Sequence, residues 1–136
     1  MSAALENSAA AREQTARIAR LNDLARQAMG VACTPVATAG FRSLPDADQS
    51  QVRELIETFD AFTDDNDPHG ERDFGSIYQL RDRSWTTERP RSQEDECERV
   101  FWKLDYYDRN LEFASEDAAN PAITRRVLTI MLSDEY

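Results

Sequence analysis

Two stretches of the chain carry apolar residues at three- and four-residue steps, the pattern of a helix with one buried face. The first runs from about Ala10 to Met29, where Ile18, Leu21, Leu24, Ala25 and Ala28 share a face and Arg17, Arg20 and Arg26 occupy others. Gly30 marks its end, since glycine readily takes the left-handed conformation that follows a helix C-terminus. The second runs from Pro45 to Phe62, with Val52, Leu55, Ile56, Phe59 and Phe62 in one stripe. That stripe needs a sheet or another helix to cover it. Residues 1–15 are rich in Ala and Ser and are expected to form a flexible N-terminal segment, leaving residues 16–136 as a single domain.

Other stretches read as strands. Residues 31–41 are rich in β-branched side chains, and Pro35, which lacks an N–H, places them at a sheet edge. Residues 73–80 and 99–108 are short β-type segments; in the second, Val100, Trp102, Leu104 and Tyr106 form the apolar face, while Phe101 and Tyr107 blur the alternation. Between them, residues 81–98 are polar and nearly charge-balanced, and they predict an inserted, exposed hairpin loop. Trp85 within it is either a local anchor or an extra contact. Residues 63–73 cluster Asn, Asp, Pro and Gly and predict a loop. Pro121 suits the first turn of a last helix, in which Ile123, Val127, Ile130 and Met131 fall at i, i+4, i+7 and i+8. The expected fold is α+β in the order α-β-α-β-β-α, with a small antiparallel sheet of about three strands packed against helices.

Charge changes this picture. The chain has 136 residues and a net charge of −10, and about a quarter of it is large apolar side chains, enough for a modest core. A broad nucleic-acid-binding surface is disfavoured, because its electrostatic term would have the wrong sign. No apolar run approaches the roughly 18 residues that span a membrane. The acidity is local: residues 1–44 carry a small positive balance, whereas Glu54 to Asp73 holds eight acids and one arginine. Cys33 and Cys97 form no C-x-x-C pair, and with His69 as the only histidine they make no standard zinc spacing. A cytoplasmic protein with free thiols is the expectation.

Three strings stand out: FTDDNDPHGERDFG (62–75), RVFWKLDYYDRNL (99–111) and RRVLTIMLSDEY (125–136). In these strings the chain resembles domain-of-unknown-function family 3768, small bacterial proteins often carried on plasmids and other mobile elements. The resemblance covers roughly residues 18–136. The chain departs from the family pattern in the insertion at 81–97 and in Arg72, where the resemblance implies histidine. The family carries no established reaction.

The acidic loop suggests two chemistries. Asp65, Asp67 and Gly70 match positions 1, 3 and 6 of a calcium-type loop, but His69 and Ser76 stand where further ligands belong. The other reading is an Asx-rich turn, with Asn66 and Asp67 bonding nearby N–H groups and Gly70 at positive φ. An enzyme could recruit Asp73 and Asp105 on adjoining strands, with residues 64–73 holding a metal; this small metal-dependent enzyme is the alternative function. Four glycines, at 30, 40, 70 and 75, make no phosphate loop. The favoured expectation rests on an acidic stripe. Glu54, Glu57 and Asp60 lie opposite the apolar stripe and continue into Asp64, Asp65, Asp67 and Glu71, at a spacing near that of nucleic-acid phosphates. These seven residues are the expected partner-binding site of an inhibitor of host defence machinery, anti-CRISPR or anti-restriction in type. Its partner is a basic, nucleic-acid-binding protein or complex. No cofactor, metal, catalytic residue, direct nucleic-acid contact or membrane contact is expected, and the chain would act as a monomer or homodimer.

Overall fold

The computed structural model describes residues 3–136, so Met1 and Ser2 of the expected flexible segment lie outside the described residues. From Ala3 the backbone is already helical: α1 spans Ala3–Gln27. A short strand β1 (Thr34–Ala37), one helical turn α2 (Ala39–Arg42) and helix α3 (Asp46–Glu57) follow. Strands β2 (Phe74–Leu80), β3 (Trp85–Thr86), β4 (Glu96–Tyr107) and β5 (Arg125–Leu132) complete the chain, with 3-10 turns at Gln93–Asp95 and Ser133–Glu135. Among the described residues no helix is long and apolar enough to cross a membrane.

The expected sheet and element order are corrected. The sheet has five strands in the order β1-β5-β4-β2-β3, and it is mixed: β1 runs parallel to β5, and the other neighbours are antiparallel. The helices come first and the strands last, apart from β1. The expected C-terminal helix is strand β5. Its misleading helical spacing arises because β5 carries apolar residues on both faces, Leu128 and Ile130 on one and Val127 and Met131 on the other. Arg126, Leu128 and Ile130 point to one face and are buried; Val127 and Thr129 point to the other. Selecting residues from both faces mimics a period of 3.6. Pro121 sits in a turn rather than a helix start.

One face of the sheet forms the core. Trp102, Val100 and Leu104 of β4, Ile77 of β2, and Leu128 and Ile130 of β5 pack under Ala25 of α1, Phe41 of α2, and Val52, Ile56 and Phe59 from α3 and its exit. Each large side chain buried here contributes roughly 1.5–3 kcal/mol. The opposite face is half-exposed, and Phe74, Phe101 and Tyr136 form a mutual aromatic cluster on it with centroid separations of 5.1–5.9 Å. Trp85 is a buried anchor: its indole N–H donates to Asp48 in the first turn of α3 at 3.0 Å, tying the 81–95 connection to that helix. The C-terminus is clasped by Glu135, whose carboxylate accepts from the Thr38 hydroxyl at 2.6 Å and the Leu132 and Gly40 N–H groups at 2.9 and 3.0 Å. Those bonds hold its carboxyl below the ordinary carboxylate range.

Gly75 is needed for close approach. A Cβ there would lie 2.4 Å from Trp102 Nε1 and 2.8 Å from Phe59 Cζ, both part of the packed core. Gly75→Ala is expected to destabilise the protein by about 1–3 kcal/mol through overpacking. Urea unfolding of the variant, with m unchanged, checks this.

Candidate functional site

Helix α1 buries a stripe that is partly polar. Ile18, Asn22, Ala25 and Arg26 face the sheet, while Leu24, assigned to the apolar face by spacing, is 51% exposed. Arg26 is 1% exposed and lies between the rings of Phe62 and Trp102, 5.3 and 5.2 Å from their centroids. Its Nη1 donates to the Phe59 carbonyl at 2.8 Å and more weakly to that of Ile56 at 3.4 Å. A cation from one helix thus satisfies the Phe59 carbonyl just past the C-terminal end of another, where the helix dipole also favours positive charge. Asp23, one turn earlier, pairs with Arg26 and with Arg72. Burial pulls the guanidinium below its ordinary range, and Asp23 pulls it back.

A second buried network lies further up the same stripe. Asn22 is fully buried; its amide donates to the Glu71 carbonyl at 2.9 Å and the Tyr106 hydroxyl at 2.8 Å, and its oxygen accepts from Arg126 Nε at 2.7 Å. Tyr106 donates to the Glu71 carboxylate at 3.1 Å, and Arg126 stacks over the Tyr106 ring at 5.1 Å. Burial pushes the Tyr106 phenol far above its ordinary range. These groups join α1, the acidic loop, β4 and β5.

The seven sequence-predicted partner residues divide accordingly. Glu54, Glu57 and Asp60 are exposed on and just past α3, opposite buried Val52, Ile56 and Phe59, and Asp64 and Asp65 are exposed in the loop that follows. Five ion pairs form among the described residues, and none uses these five carboxylates. Asp67 is half-buried, and its Oδ1 accepts the Arg72 N–H at 3.2 Å. Glu71 is half-buried and turns towards Tyr106.

The loop itself is built as an Asx-rich turn. Asn66 accepts the Thr63 N–H at 2.7 Å and donates to the Ala61 carbonyl at 2.8 Å, and Gly70 has φ +73°. Arg72 also takes a positive φ, 56°, a conformation disfavoured for a long side chain. Its stacking on Phe62 at 5.2 Å and its pairing with Asp23 at 3.0 Å hold it there. No three His, Cys, Asp or Glu side chains converge among the described residues. Asp73 and Asp105 lie on opposite faces of the sheet: Asp73 is opposite Leu104 on the helix side, whereas Asp105 pairs with Lys103 at 3.3 Å on the other. Both cysteines are free; Cys33 is buried and its thiol is pushed up by burial, while Cys97 is exposed.

Sequence reasoning missed Asn22, Arg26 and Arg126. The available signal was the interval from Ile18 to Asn22 and Arg26, a helical step of four that places polar residues within the buried stripe.

Two substitutions test this framework. Arg26→Met is expected to cost about 1–3 kcal/mol, since it leaves the buried Phe59 carbonyl without its donor while Asp23 keeps Arg72. Asp73→Asn acts in the opposite direction. Burial, and then the neighbouring Glu71 charge, raise the Asp73 pKa, so the folded state penalises its ionised form at neutral pH. Between the unfolded and the raised folded pKa the folded state holds more protons, so stability falls as pH rises through that window. The Asn variant should be more stable than wild type at pH 7 and lose that advantage near pH 3, as thermal melts at the two pH values would read.

No curated protein and no solved structure matches the chain. A family model described as "Protein of unknown function (DUF3768)" matches residues 37–135, from the end of β1 to the C-terminal clasp. Helix α1, with Asn22 and Arg26, lies outside the matched range and the acidic loop, β4 and β5 lie within it. With most of its length matched, the chain belongs to the DUF3768 family.

Proposed function

We propose that this protein works by binding a basic protein partner through the carboxylates of α3 and the loop behind it. In the sharper form, it occupies the positive groove of a host nucleic-acid-binding defence complex, as an anti-CRISPR or anti-restriction inhibitor from a mobile element would. The observation that carries the reading is the exposed row Glu54, Glu57, Asp60, Asp64 and Asp65, none of it spent on an internal ion pair. Successive helical carboxylates stand roughly 5–6 Å apart, a density comparable to phosphates along a nucleic-acid strand. Their frame is rigid, because Arg26 binds the end of α3 and the Asx turn shapes the loop. Rigidity reduces the entropy lost on association.

The test begins with capture of the partner from a host lysate. Affinity is then measured against ionic strength for wild type and for a variant with Glu54, Glu57, Asp60 and Asp64 all changed to Gln. Wild-type binding should weaken steeply with salt, and the variant should lose about tenfold or more in association rate with a flatter salt curve. Its stability should be unchanged or higher, since like charges no longer repel. Superimposable salt curves from a folded variant would sink the proposal.

A further inference from the structure

The two edges of the sheet are treated differently. At one end, β1 is short and carries Pro35, which blocks strand addition in the usual way. At the other end β3 has only two residues and pairs only with Tyr78 and Gln79 of β2. The rest of the β2 edge, Phe74 to Ile77, contains neither Lys nor Pro.

Register decides which backbone groups this leaves open. Leu104 N–H donates to the Asp73 carbonyl at 2.8 Å, and Gly75 is opposite Trp102 and Ile77 opposite Val100. In an antiparallel ladder alternate residues turn their N–H and C=O towards one neighbour. Residues 73, 75 and 77 therefore bond to β4, and Phe74 and Ser76 present theirs outwards. No hydrogen bond among the described residues reaches those four backbone groups.

Beside them lies a groove of about 520 Å³. The chain leaves the edge after Thr86, so Thr87 to Arg89 form one wall, and the segment from Phe59 to Asn66 forms the other. Apolar surface comes from Phe59, Phe74 and Tyr78. Two carboxylates, Asp65 and Glu88, line the groove against one cation, Arg89, and exposed Asp60 and Asp64 extend the negative charge along one side.

We propose that this edge receives an extended segment of a protein partner carrying alternating basic and apolar residues, which adds as a further strand beside Phe74–Ile77. The inference rests on the reading of a basic protein partner and specifies how part of it would be held. Open backbone groups supply hydrogen bonds and alternate side chains supply selectivity, the usual division in strand addition. At about 3.3 Å per residue, the open edge accommodates roughly four residues of the guest. The carboxylates choose cationic side chains over acidic ones.

The test uses amide exchange by NMR on the full chain, with the probe peptide acetyl-Lys-Val-Lys-Val-Lys-amide and its Glu counterpart as control. Saturation with the Lys peptide should slow exchange at Phe74 and Ser76 by about tenfold or more and leave Gly75 and Ile77, already paired to β4, nearly unchanged. The Glu peptide should do neither. Ser76→Pro should abolish the effect at Phe74 while the β2–β4 ladder stays protected, because the N–H it removes bonds to nothing in the free protein. Asp65→Asn with Glu88→Gln should weaken the Lys peptide and spare the fold. Lys-peptide binding without slowing at Phe74 and Ser76, equal binding of the Glu peptide, or no binding would overturn the inference. A variant with only Glu54 and Glu57 changed to Gln separates the two readings, since these residues neither line the groove nor extend its charge: edge protection with superimposable salt curves defeats only the α3 surface. A steep salt dependence without edge protection defeats only the strand addition.

Discussion

The buried guanidinium of Arg26 is the contact through which helix α1, helix α3 and the acidic loop are held in one arrangement. It occupies the place where the α3 backbone runs out of helical partners, and it donates to Phe59 and Ile56 there. Rings of Phe62 and Trp102 flank it, so the same cation ties the start of the loop to the central strand. A buried charge of this kind is costly to desolvate unless it is paired and hydrogen-bonded. Asp23 supplies the pairing and extends it to Arg72, which closes the far end of the loop.

That arrangement also sorts charge between interior and surface. Arg26 and Arg126 are drawn inside, where carbonyls, Asp23, Asn22 and aromatic faces partner them, although Arg26 Nε is buried without a hydrogen bond. Glu71 and Asp67 are turned to internal donors. The carboxylates left over on α3 and the loop then face solvent and enter none of the ion pairs among the described residues. A run of exposed carboxylates from Glu54 to Asp65 is the consequence. It is also the physical basis for expecting fast, salt-sensitive association with a positive partner.

The sheet adds a second asymmetry. Its β1 edge is blunted by proline, while β2 is covered along only two of its residues. Carboxylates beside an open edge disfavour pairing with another acidic chain. The acidic helix face and the open edge flank the same segment, residues 59–66.

Much of the local structure was legible in the chain. The stripe from Val52 to Phe59 defined a helix and its buried face, the Asn-Asp-Pro-Gly cluster defined a turn, and the alternation at Val100, Trp102 and Leu104 defined a strand, because each signal depends only on neighbours in sequence. Three motifs were enough for the family resemblance. Strand β5 was not legible: Val127 and Met131 place apolar side chains on its second face and blur its alternation, and only its position between β1 and β4 determines that residues 125–132 extend rather than coil. Nor was the burial of Asn22 and Arg26, since a polar side chain on a helix stays in water unless distant residues offer it partners. Those partners come from Phe59, Glu71, Tyr106 and Arg126, more than thirty residues away along the chain. The sequence by itself determined which segments could be helix, turn or strand and where negative charge accumulates. Only the tertiary structure decided which charges are neutralised inside and which sheet edge stays open, because both depend on contacts between segments that folding alone brings together.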